Sequence, residues 1–193
     1  VRGMEHAVRA SAARTVVIDH HLDPQPFADG YLIEQGACAT AEILYDVLAA
    51  AYPMTLEMAT GLYVGIMTDT GSFRFERTTP RVHRIAAALL EAGVDQTLVY
   101  RRIYDEYSAG RILLLGRVLA GLELVCGGNA TLLRIRESDF AETGTTPEDS
   151  DNIVNYGLGV RGVEATVLLT ERSDGVKLNF RSRGTTSVHE LAR

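Results

Sequence analysis

The sequence predicts an α/β chain: a domain built on a parallel sheet, followed by a smaller α+β domain. Two observations carry this. Val16-Val17-Ile18 places three β-branched residues in a row, which reads as a buried strand of a parallel sheet. Several segments of helical periodicity then follow, and beyond Gly127-Gly128-Asn129 the pattern changes to residues alternating in twos, the period of half-buried strands.

Composition bounds the function classes. The chain has 193 residues, 46% of them apolar, enough for one medium core or two small ones. No stretch approaches the length of a membrane span and no signal-peptide pattern opens the chain, so a cytoplasmic protein with no membrane partner is expected. Cys38 and Cys126 lack Cys-x-x-Cys spacing and read as two reduced thiols. A formal charge of −6 argues against a broad footprint for duplex nucleic acid but is compatible with a small phosphorylated ligand held by local cations and metal. Lys177 is the only lysine, so cations for such a ligand would be mostly arginines.

In chain order, a helical segment before Thr15 leads into the strand ending at Asp19. Asp23-Pro24-Gln25-Pro26 and Asp29-Gly30 are turn chemistry, and the chain is expected to leave the sheet there through a surface loop. Residues 39–51 read as a helix burying Ile43, Leu44, Val47, Leu48 and Ala51. Residues 56–67 read as a second, with Leu56, Ala59, Leu62, Tyr63, Ile66 and Met67 at helical spacing and Asp69 just past its end. Thr79 as N-cap, Pro80 behind it and Gly93 as stop delimit a third, with His83 at its surface. Asp95 caps a helix through Tyr107, and Ser108 one reaching about Leu122 with Ile112, Leu115, Leu119 and Leu122 inward. Tyr104 and Tyr107 suit burial better than base stacking. The expected division is a first domain over 1–106, a helical connector over 107–125 and a second domain over 126–193. In that second domain strands are expected at 131–136, 164–171 and 176–183, with a short helix near 149–156. The last strand sets Val176, Leu178 and Phe180 against Lys177, Asn179, Arg181 and Arg183, giving one apolar and one basic face, the latter either solvated or suited to a phosphate.

The chemistry gathers at Asp19-His20-His21, where a strand should emerge from its sheet. That edge is where open α/β folds bind ligands. One carboxylate and two imidazoles there can ligate a divalent metal and touch a phosphate, or can simply be three polar loop residues. Downstream, Asp69 stands at the negative end of its helix and wants a compensating cation, either bound metal or Arg74 or Arg77. Gly71 permits a sharp turn after it.

Asp19-His20-His21 after an apolar strand, and Asp69-Thr70-Gly71-Ser72-Phe73-Arg74 further on, resemble the third and fourth motifs of the DHH phosphoesterase superfamily. The region 153–193 is similar to the small DHH-associated domain of its oligoribonuclease and phosphoadenosine-phosphate phosphatase branch. The resemblance implies a Rossmann-like DHH domain with His20 and Asp69 as metal ligands, Asp19 orienting a histidine and His21 contacting the scissile phosphate. Arg74, Arg181 and Arg183 become substrate-binding candidates, Arg181 matching an arginine of the family's substrate cleft. Two manganese or magnesium ions are implied, with short single-stranded oligonucleotides or small adenine nucleotides as partners and a homodimer as the assembly.

The first two motifs of the family, which supply further Asp and His ligands, would precede Arg2, and its Gly-Gly-Gly-His motif would follow Arg193. His189 should not be mistaken for the histidine of that motif. The chain therefore reads as a fragment. A RecJ-like single-strand exonuclease is a less favoured alternative, for want of a basic groove. A manganese pyrophosphatase fits less well, and an inactive binding or dimerisation module is the alternative from another class. With ligand bonds near 2.1 Å, the side chains of His20 and Asp69 are expected about 4 to 5 Å apart.

Overall fold

The computed structural model describes residues 4–21 and 27–183. The turn expected at Asp23-Pro24-Gln25-Pro26 and His189 lie outside these. The fold is mixed α/β with parallel strand pairing in each of two compact units, Val1–Asp105 and Glu106–Arg193. No helix of the described residues is long and apolar enough to cross a membrane.

The first unit begins with α1 (Glu5–Ala10) and β1 (Val16–Asp19), and β1 pairs in parallel with β2 (Gly30–Ile33), Val16 opposite Gly30 and Asp19 opposite Ile33. The second strand corrects the expectation of a surface loop at Gly30. Four half-exposed residues show no period of their own, and β2 exists by pairing with a strand fourteen positions earlier. Burial of the Val16 end is also corrected: Val16 is 66% exposed, since within the described residues β1 has one neighbouring strand.

Three helices form the core beside this pair: α2 (Thr40–Ala51), α3 (Leu56–Asp69) and α4 (Pro80–Glu91). Thr79 caps α4 as expected, its hydroxyl accepting from the Val82 amide, and Thr55 caps α3 by accepting from Met58. Ala59, Leu62, Ile66, Val82, Ile85 and Leu89 are buried between them. On α2 the expected stripe is only partly right. Ile43 is buried and Val47 is 42% exposed, while Glu42 takes a buried place. Where α2 crosses α3 the backbones approach so closely that a Cβ on Gly65 would stand 2.8 Å from the Ala41 Cβ. That approach sets the line of α3, and therefore where Asp69 at its last position arrives. After Gly93, α5 (Gln96–Tyr100), capped by Asp95, passes into a π-helical turn at Arg101–Asp105.

The second unit carries α6 (Ala109–Ala120), β3 (Glu123–Val125), β4 (Ala130–Ile135), α7 (Glu137–Thr143), α8 (Val154–Gly157), β5 (Ala165–Arg172) and β6 (Gly175–Ser182). The sheet order is β3-β4-β5-β6, with β4 and β5 parallel and both outer pairs antiparallel. Leu114 and Val118 of α6 are buried in this unit's core with Leu133, Ile135, Phe140, Ile153 and Leu168. Ile112, expected inward, is 52% exposed. In the run Ile112-Leu113-Leu114-Leu115 every residue is apolar, so the pattern carries no information about which one faces the core. β3 and α7 were not foreseen. A three-residue edge strand and a seven-residue helix are too short to show a period.

The register resolves the sidedness of the last strand. Directly paired residues share a face, so Lys177 and Arg181 lie on the side of Thr170 and Thr166, both buried, while Leu178 and Phe180 share the other side with Leu169 and Val167. The expected apolar inner face is thus the open one: Val176 and Leu178 are 57% and 52% exposed. The arginine and lysine stand at the sheet's edge.

Replacing Gly65 by valine should force α2 and α3 apart, costing about 1–3 kcal/mol by overpacking. Denaturant unfolding should show the midpoint falling with an unchanged m-value.

Candidate metal centre

β1 delivers Asp19 at its last position, and the Asp19 carboxylate shapes the turn that follows. Its Oδ1 accepts from the amides of His20 (2.7 Å) and His21 (3.2 Å) and meets His21 Nδ1 at 2.6 Å. Burial disfavours charge on this carboxyl, but the hydrogen bonds from the His21 ring and the two amides outweigh it and hold Asp19 below the usual carboxylate range. The histidine that Asp19 orients is therefore His21. The two imidazoles meet edge to face at 4.6 Å, His20 turned inward with 14% of its side chain exposed and His21 outward with 76%.

Asp69, 49 positions further on, comes to the same place on the last turn of α3. Its Oδ2 lies 3.6 Å from His20 Nε2. This is closer than the expected 4 to 5 Å, and it matches the about 3.0–3.6 Å at which two ligands about 2.1 Å from one ion would stand when they subtend roughly 90–120°. The donor set suits a divalent cation: one imidazole nitrogen and one carboxylate oxygen at that spacing, with Asp19, His20 and His21 each offering a ligand atom within 4.8 Å of one another. Among the described residues it is the His20 ring that faces Asp69; Arg74 instead lies over the Phe75 ring at 5.6 Å.

The loop after Asp69 is held in an unusual conformation. Gly71, Ser72 and Phe73 all have positive φ, at 57°, 61° and 65°, a region that glycine tolerates and a phenylalanine does not favour. Buried Thr70 offsets the strain. Its carbonyl accepts from the amides of Arg74 and Phe75, its hydroxyl accepts from the Phe73 amide, and the same hydroxyl donates to the Ile66 carbonyl. Phe73 packs between Tyr63 and His83 at centroid distances of 5.9 and 5.6 Å.

Behind His20 stand residues that carried no motif. The Ala37 carbonyl lies 3.3 Å from His20 Nδ1, and Cys38 is buried beside it. Burial, followed by the hydrogen bond and charge of Glu42 and the charge of Asp69, pushes the Cys38 thiol up to about 12. The sequence marks Glu42 only as an acidic residue in the first turn of α2. In the second unit Arg181 and Arg183 are exposed; Arg181 Nη1 donates to the Phe180 carbonyl at 3.2 Å and the Arg183 amide donates to Glu164 at 2.9 Å.

A thiol with its pKa near 12 is almost wholly protonated at pH 8, so iodoacetamide should label exposed Cys126 and leave Cys38 unmodified until the protein is unfolded. Peptide mapping by mass spectrometry before and after denaturation checks this.

The chain resembles two curated proteins over most of its length. It is 35% identical over 91% of its residues to the bifunctional oligoribonuclease and PAP phosphatase NrnA of Thermus thermophilus, and 26% identical over 95% to the protein of that name from Bacillus subtilis. It spans 52% and 59% of their lengths, so about half of each relative is matched. A crystal structure of an exopolyphosphatase-related protein from Bacteroides fragilis superposes with a TM-score of 0.93 and 29% identity, covering 100% of this chain and 57% of that one. No protein-family model matches. With the Asp-His-His strand end and the Asp69 loop meeting at one point, and relatives of this kind matching along almost all of its length, the chain is similar to the DHH phosphoesterases.

Proposed function

We propose that this chain is part of a divalent-metal-dependent phosphoesterase that hydrolyses short oligoribonucleotides and 3′-phosphoadenosine 5′-phosphate. The observation that carries the reading is the approach of His20 Nε2 and Asp69 Oδ2 to 3.6 Å beside Asp19 and His21. The names of the Thermus and Bacillus relatives support both substrate classes.

A phosphoester resists water because its anionic oxygens repel nucleophiles. Divalent ions, here manganese or magnesium and two in a complete site, supply Lewis-acid activation of water and neutralise that charge. His20 and Asp69 are the residues of this chain that would hold one ion, and the family's further Asp and His ligands belong to motifs this sequence does not contain. Asp19 keeps its turn rigid by accepting three N–H groups, and so fixes where the His21 imidazole stands. With Nδ1 turned to Asp19, the exposed His21 ring offers its other nitrogen to a phosphate oxygen. Arg181, Arg183 and Arg74 are proposed to hold the nucleotide, as an arginine fork suits phosphate. A homodimer is proposed for the assembly.

In the full-length protein, His20→Ala should lower manganese-dependent hydrolysis of a dinucleotide by more than about 100-fold, since removing even an outer partner of a metal ligand costs 10–100-fold. The melting temperature should move by less than about 4 °C. Arg181→Ala should raise KM with kcat little changed, as expected for a group holding ground and transition states alike. Steady-state kinetics beside melting curves decide, and an unchanged rate for His20→Ala would sink the proposal.

A further inference from the structure

His20 is held from behind through a single peptide group. A carbonyl can only accept, so the 3.3 Å contact between Ala37 O and His20 Nδ1 puts the proton on Nδ1 and leaves Nε2, the atom facing Asp69, with its lone pair free. The N–H of that same peptide plane is the Cys38 amide, which donates to Glu42 Oε2 at 2.8 Å. Glu42 lies in the first turn of α2 and is 8% exposed, a costly place for a carboxylate unless paired. Its Oε1 is 3.3 Å from Arg81 Nε, and Arg81 also pairs with Asp46. Ala37, Cys38 and Ala39 are themselves buried, so the plane has little room to turn.

We infer that Glu42, steadied by Arg81, is a positioning residue that fixes the orientation and tautomer of His20 through the Ala37–Cys38 peptide group. A carboxylate bound to the N–H end of a peptide polarises it and strengthens its carbonyl as an acceptor. Metal-binding histidines usually give their second N–H to a carboxylate or to a carbonyl. Here the two are joined in series, carboxylate to peptide to imidazole. Glu42 touches neither ion nor substrate and acts on the site only through His20. The inference rests on the reading of His20 as a metal ligand.

The test uses full-length protein carrying 15N-labelled histidine. The His20 tautomer is read from long-range 1H–15N correlations without metal, and the affinity for Mn2+ alone is measured by titration calorimetry. Wild type should show the Nδ1–H form. Glu42→Ala should mix the tautomers and weaken Mn2+ binding by about 10-fold or more. Glu42→Gln, which keeps an acceptor for the Cys38 amide, should recover most of both. If Glu42→Ala does not fold, Arg81→Gln, at a side chain 45% exposed, should still weaken binding about threefold. A buried carboxylate that only stabilised α2 would change the melting temperature and leave the tautomer alone. Wild-type tautomer and Mn2+ affinity in these variants, with affinity lost in His20→Ala, would overturn the role of Glu42 and leave the metal reading standing. Unchanged affinity in His20→Ala would overturn both.

Discussion

The candidate site depends on two chain ends being brought to one point by packing that has no chemistry of its own. β1 stops at Asp19 and α3 stops at Asp69, and α2 packs against both. The small residues Ala41 and Gly65 decide how closely α2 and α3 lie, and a helix end moves with its axis. A carboxylate at the C-terminal end of a helix dipole is unfavourable by itself. In the proposed site, a cation held between Asp69 and the facing His20 imidazole would offset that cost.

Around this point the supports are of two kinds. Asp19 organises its own turn with bonds no longer than 3.2 Å and needs nothing distant. His20, by contrast, is oriented from α2 and α4 through the Ala37–Cys38 peptide, Glu42 and Arg81. The strained run at Gly71–Phe73 belongs with the second kind, since Thr70 and the aromatic contacts of Phe73 keep it in place. Local bonds thus shape one half of the site and tertiary packing the other.

That division explains what was legible in the sequence. Helices with strong ends were readable: Thr79-Pro80 and Gly93 bracket α4. Asp19-His20-His21 and Asp69 were singled out by their resemblance to two family motifs, since the triplet alone reads equally well as three polar loop residues. β2 was not, because its four residues gain their conformation from β1. Nor was the inward face of α6, where consecutive apolar residues erase the helical period, or the side of the sheet to which β6 turns Leu178. Glu42 was hidden by the habit of reading a helical glutamate as solvated, when here its charge has partners on α4 and in the Ala37–Cys38 peptide.

The self-contained turn at Asp19 has a consequence for how such sites travel. Three acceptor contacts made by one carboxylate oxygen within a three-residue span form a cassette: any strand end that can bear the triplet would reproduce the same turn and the same His21 placement without help from its new host, while His20 would lose its partner at Ala37. Asp69 cannot be moved that way, because its position is a property of two helices and the small residues between them. Grafting the triplet alone onto another sheet would therefore transfer a shape without a binding site, and it is the helix crossing at Ala41 and Gly65 that would have to be copied with it.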